Sequence, residues 1–127
     1  MKKLILIALL MFSSTSSAEW TKVMEDSLGN THYIDFDRIR VVDGYVYFWD
    51  ITDTLKPELT FSSSSAYRQV DCKLFRDKLL SIFFHKEPMA GGTGRHVSPT
   101  GEYANWYYPT PESVRAKMLL TVCNHVK

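Results

Sequence analysis

Two cysteines, Cys72 and Cys123, stand in this chain, and what they do depends on where the chain goes. The N-terminus points outward. Met1-Lys2-Lys3 is positively charged, Leu4 to Phe12 is apolar without a break, and Ser13 to Ala18 is made of small residues, the order of a secretory leader with cleavage after Ala18. The apolar run is too short to span a bilayer, and no stretch of about 20 apolar residues follows, so the product is not membrane-spanning. An even cysteine count in a chain that leaves the reducing cytosol reads as a disulfide, in preference to two free thiols or a two-cysteine metal site. In the chain-entropy model a loop this long corresponds to roughly 4 kcal/mol, an upper figure because native strain and denatured-state structure both reduce it. The fold must then bring residue 72 to residue 123.

Residues 1–18 therefore read as a signal peptide and 19–127 as one small domain. No cysteine lies near the cleavage point, so a lipid anchor has no acceptor, and the product is expected in the periplasm or the medium, with the cell surface also open. Of 15 basic residues, Lys2 and Lys3 leave with the leader, so 13 face 14 acidic ones. Binding nucleic acid by counterion release needs a concentrated basic face, which this balance does not supply. The chain is 13% aromatic, enough for a small but real core.

Trp20 to Asp26 reads as a strand, turned at Ser27-Leu28-Gly29-Asn30, with Thr31 to Phe36 returning. Asp37 to Arg40 is a short turn; Asp35 and Asp37 suit turn formation better than catalysis. Val41 to Thr54 is the strongest strand signal, with a tight turn available at Asp43-Gly44. Asp53 to Glu58 is a loop, and the serines from Ser62 to Ser65 can be extended. Ala66 to Phe75 and Leu79 to Glu87 form a second hairpin around Arg76-Asp77-Lys78. Tyr45, Tyr47, Trp49 and Ile51 oppose Val46 and Phe48, so the central strands read as covered on both faces.

Pro88 to Pro109, rich in glycine and carrying Tyr103, Trp106, Tyr107 and Tyr108, reads as mostly irregular, with Gly91 to Arg95 as a mobile loop. A helix closes the chain, with Thr110 as N-cap, Pro111 and Glu112 in its first turn, and Ala116, Leu119, Leu120 and Cys123 facing the sheet. Joining Cys123 to Cys72 staples this helix to the strands. One helix covers one face, so the other needs sheet curvature, the aromatic loop, or a second copy of the chain as a homodimer.

No catalytic constellation, cofactor or metal site emerges. His32, His85, His96 and His125 are scattered, the glycine run lacks the Lys-Ser or Lys-Thr ending of a phosphate loop, and no serine sits in a nucleophile elbow. Basic residues Lys73, Arg76 and Lys78 cluster at the second hairpin, with two readings: a binding patch, or a solvated tip balanced by Asp71 and Asp77. Trp106 and its neighbours are too many large aromatics to leave all exposed, and the remainder suits a contact surface.

Taken in order, Tyr33-Ile34-Asp35, Ser64 to Asp71-Cys72-Lys73, Leu79-Leu80-Ser81, Pro88-Met89 with its glycines, Trp106, and Pro111-Glu112-Ser113-Val114 ending at Val122-Cys123 resemble the bacterial surface-adhesin protein E family. That resemblance implies an α+β domain: an antiparallel β-sheet with a C-terminal α-helix, linked to it by a Cys72–Cys123 disulfide. It also implies non-enzymatic binding of host matrix or plasma glycoproteins such as vitronectin, laminin and plasminogen. An envelope structural or assembly protein of the periplasm is the second reading, and a small hydrolase the third.

Overall fold

The computed structural model describes residues 19–54 and 61–127. The expected leader, and all but the first two residues of the expected loop from Asp53 to Glu58, lie outside them. Among the described residues seven strands precede one helix: β1 (Thr21–Glu25), β2 (Thr31–Ile34), β3 (Arg40–Val42), β4 (Tyr45–Asp53), β5 (Ser63–Asp71), β6 (Arg76–Glu87), β7 (Gly91–Val97) and α1 (Val114–His125). All pairings are antiparallel in the order β1-β2-β4-β5-β6-β7, and β3 also pairs with β4. One edge of β4 is shared end to end, with Val42 of β3 opposite Tyr45 and Ile34 of β2 opposite Asp50.

The expected tight turn divides the strongest strand signal into β3 and β4. Asp43 (φ 51°) and Gly44 (φ 83°) both take positive φ, as a two-residue hairpin turn matched to strand twist requires. Between β2 and β3, Asp35 caps a short 3₁₀ turn over Phe36–Arg38, its Oδ1 accepting from the Asp37 amide at 3.2 Å. Phe36 therefore leaves the strand in which the sequence placed it.

Four expectations are corrected. The second hairpin turns at Cys72 to Phe75 and not at Arg76-Asp77-Lys78, because the Asp71 carboxylate accepts the Lys73 and Leu74 amides (3.1 and 3.2 Å) and Phe75 takes a positive φ. The glycine run is strand β7, paired along Ile82 to Glu87. The helix is capped by Ser113, whose Oγ accepts from the Ala116 amide at 3.1 Å; Glu112 just before it sits at φ +67°, so Thr110, Pro111 and Glu112 all lie outside the helix. Leu120 is exposed, while Met118 and Val122 join Ala116 and Leu119 in facing the sheet.

The core lies between α1 and one face of the sheet, built from Ile34, Val46, Phe48 and Val70 against Met118, Leu119 and Val122. Among the described residues no helix covers the opposite face, whose rings Tyr47, Trp49, Tyr67 and Phe83 are half-buried and pack on one another. Cys72 in the hairpin turn and Cys123 in α1 are joined, with their Cα atoms 5.8 Å apart.

An ionic cross-link reinforces this layer. Asp77 is fully buried, and Arg115 from the helix grips both of its oxygens, at 2.8 and 3.0 Å from Nε and 2.9 Å from Nη2. Arg68 of β5 reaches Asp77 at 3.3 Å and Asp50 of β4 at 2.6 Å. Burial works against the Arg68 charge, yet the two carboxylates overcome it and raise its pKa. Asp77 is therefore not a solvated tip residue, and Asp50 belongs to the same ionic network.

Candidate functional site

Alternation along β6 sends Arg76 and Lys78 to the face that α1 leaves open, while Asp77 between them turns inward. Residues 106–108 run beside them. The Asp77 amide donates to the Tyr107 carbonyl at 3.0 Å and the Tyr107 amide donates back at 2.8 Å, a single antiparallel bridge. The same alternation then puts Tyr107 on the helix side, 4.1 Å from the Arg115 guanidinium, and Trp106 and Tyr108 on the open side.

There the two cations meet the indole. The Arg76 guanidinium lies 4.2 Å from the Trp106 ring centroid and the Lys78 ammonium 4.8 Å, both within cation–π range. Tyr45 packs against Trp106 at 5.6 Å, and Arg76 also donates to the Tyr108 hydroxyl at 3.4 Å. Arg76 is fixed from behind by Asp71, whose Oδ2 accepts from Nε at 3.0 Å. Desolvation opposes the Arg76 charge, but Asp71 and Tyr108 outweigh it and raise its pKa. Burial likewise pushes Asp71 up, and the Leu74 amide with Arg76 more than reverses this, so its carboxyl is held below the usual range.

Of the four residues singled out in the sequence, the structure thus brings Arg76, Lys78 and Trp106 together. Lys73 stands exposed in the hairpin turn, and among the described residues no ring contact links it to Trp106. Sequence reasoning missed Tyr45 and placed Tyr108 only within the aromatic group around Trp106. The alternation of Tyr45, Tyr47 and Trp49 along β4 was the signal for the first; Tyr108 offered none beyond its composition.

The open face continues as a row of rings. Tyr47 and Tyr67 lie 6.1 Å apart, Tyr67 and Trp49 4.9 Å, Trp49 and Phe83 6.2 Å, and Phe83 and His96 4.8 Å. His85 ends the row, its Nε2 2.9 Å from the Ser65 hydroxyl and its Nδ1 buried with no hydrogen-bond partner among the described residues. Burial lowers the His85 pKa from the ordinary 6.5. The neutral form is the one the fold favours, so the stability it contributes is full above 6.5 and is lost as pH falls below it. The melting temperature is expected to drop between about pH 7.5 and about pH 5.5, and to drop less in His85→Gln. Thermal unfolding followed by circular dichroism checks this, and equal slopes in the two proteins would remove His85 as the cause.

The fold has counterparts among solved structures. The sequence pattern described as surface-adhesin protein E matches residues 20–124. The chain belongs to the surface-adhesin protein E family. Crystal form II of Haemophilus influenzae protein E superposes on it with a TM-score of 0.65 at 17% identity, over 91% of this chain and 94% of that one. Another structure of H. influenzae protein E gives 0.61 at 16% identity, over 88% of each chain. No curated protein sequence matches. At such identity the likeness to protein E carries the fold, and the binding residues have to be argued from this chain's own geometry. Among the described residues no helix is long and apolar enough to cross a membrane.

Proposed function

We propose that residues 19–127 form an exported, non-enzymatic adhesin domain that binds a host matrix or plasma glycoprotein, of the kind represented by vitronectin, laminin and plasminogen. The observation that carries this reading is the clamp of Arg76 and Lys78 on Trp106, a rigid aromatic held between two cations on the face that α1 leaves open. Interfaces draw their energy from such anchored Trp and Arg residues, while exposed charges at the rim mainly speed encounter. Trp106 serves as anchor, Arg76 and Lys78 attract an acidic partner surface, and Lys73 adds charge at the rim.

Lys73 and Lys78 are the cleaner residues to reverse, because Arg76 also bonds Asp71. Lys73→Glu/Lys78→Glu is expected to slow association with the three glycoproteins about tenfold at low salt and to weaken the salt dependence, with a smaller rise in dissociation from the loss of the Lys78 contact with Trp106. Surface plasmon resonance at two salt concentrations measures this, with circular dichroism as the folding control. No binding of the parent protein at micromolar concentration would sink the adhesin reading and leave a periplasmic structural or assembly role ahead.

A further inference from the structure

A second site lies further along the open face. Asp37, Arg38, Arg40, Trp49 and Tyr67 line a groove of about 340 Å³. Arg38 is preorganised there: its Nε donates to the buried carboxylate of Asp35, and its guanidinium sits between the Trp20 and Trp49 rings, 5.7 and 5.6 Å from their centroids. Its two Nη groups are engaged by no described residue. Arg40, opposite Tyr47 in the β3–β4 pairing, is exposed, and among the described residues it has no ion-pair partner. Asp37 is exposed too, with its carboxylate uncommitted to any described donor.

We propose that this groove binds a carboxylate-bearing saccharide. The proposal rests on the adhesin reading, since the ligand would be a glycan carried by the host glycoprotein. The half-buried indole of Trp49 and phenol of Tyr67, 4.9 Å apart and tilted by 31°, offer apolar ring surface for the C–H face of a sugar ring. Arg38 and Arg40 present planar forks that match a carboxylate. Asp37 supplies acceptors for sugar hydroxyls. A neighbouring groove of about 280 Å³ shares Arg38 and Trp49 and adds Ser65, Phe83 and His85, giving a second ring a place to lie. Charge selects among anions: Arg38 is already paired with Asp35 and Arg40 stands near Asp37, so the groove offers guanidinium donors without a net positive charge, which suits a sugar with one carboxylate, whereas a phosphodiester strand or a densely sulfated chain needs repeated cations and meets Asp37.

Isothermal titration calorimetry and tryptophan fluorescence on the mature chain would use four probes: 3′-sialyllactose and a hyaluronan tetrasaccharide as two sources of the sugar carboxylate, lactose as the neutral control, and a heparin-derived tetrasaccharide as the sulfated one. At least one carboxylated probe is expected to bind about tenfold or more tightly than lactose, a difference of about 1.4 kcal/mol. Which of the two binds names the source. Arg40→Gln is expected to erase that preference and Tyr67→Ser to weaken every sugar, while Lys73→Glu/Lys78→Glu leaves sugar binding unchanged. Equal binding of lactose and both acids, tightest binding of the sulfated probe, an Arg40→Gln variant that binds as the parent does, or a dimer that excludes sugar from the face would each overturn the proposal. Enzymatic deglycosylation of the glycoprotein separates the two readings: binding that survives it with full strength, with neither carboxylated probe bound, retains the adhesin and discards the saccharide site, and sugar binding without any glycoprotein binding does the reverse.

Discussion

Asp77→Asn is expected to lower the stability of the domain by about 3 kcal/mol. Breaking a buried ion pair by removing one partner costs about 3–5 kcal/mol, and the lower end applies because Arg68 and Arg115 keep 20% and 32% of their side chains exposed. Asparagine holds the volume, so the loss reports charge and hydrogen bonding and not a cavity. Arg115→Met is expected to cost less on its own, since Arg115 also packs on Tyr107 and methionine retains part of that contact. In the double variant the penalties should fall short of their sum by about 1 kcal/mol or more, as contacting residues do. Urea denaturation of the four proteins completes the cycle. Strictly additive losses, or an Asp77→Asn change under about 0.5 kcal/mol, would show that the three charges do not act as one cross-link.

Removing the disulfide should cost more. Cys72 and Cys123 are 51 residues apart, and a loop of that length corresponds to about 4 kcal/mol in the chain-entropy account. Cys72→Ser and Cys123→Ser are expected to lose similar amounts, and the double variant little more than either, because one bond is lost in every case. Chemical denaturation of the three variants tests this, and thiol titration of the exported parent should find no free cysteine. Additive losses, or two titratable thiols, would remove the shared bond.

The sequence made some of this legible and concealed the rest, for physical reasons. β4 could be read because Val46 and Phe48 alternate with Tyr45, Tyr47 and Trp49, and the Asp43-Gly44 turn because its residues accept positive φ. Gly91–Val97 has almost no strand propensity; its extension is imposed by the open edge of β6 and by distant hydrogen bonds on the preceding turn, from the Met89 amide to Asp53 and the Ala90 amide to Ser63. Thr110 and Ser113 are both good caps, and only the positive φ of Glu112 decides between them. Arg76-Asp77-Lys78 looks like a turn locally because its charges are consecutive, and the partner that draws Asp77 inward lies 38 residues away. Arg76, Lys78 and Trp106 were grouped from local charge and aromatic density, but the bridge that sets them face to face joins residues 77 and 107 and leaves no mark on composition. The groove around Arg38 was invisible for the same reason, since its walls come from β3, β4, β5 and the 3₁₀ turn.

The pairing order of the strands bears on how the chain acquires its structure. From β3 onward each strand pairs with its successor in sequence, so the loops closed first are short, and their entropic cost is small. Among the described residues β2 reaches past an intervening strand to find its place, and α1, with the segment that bridges Tyr107 to Asp77, returns to a surface formed much earlier in the chain. A sheet assembled hairpin by hairpin can therefore be complete before the helix docks. Joining the Cys72 and Cys123 thiols, which passes two electrons and two protons to an external oxidant, is then expected to follow docking of the helix, a lock set on a finished layer, and an oxidant arriving late should still find the two thiols waiting side by side.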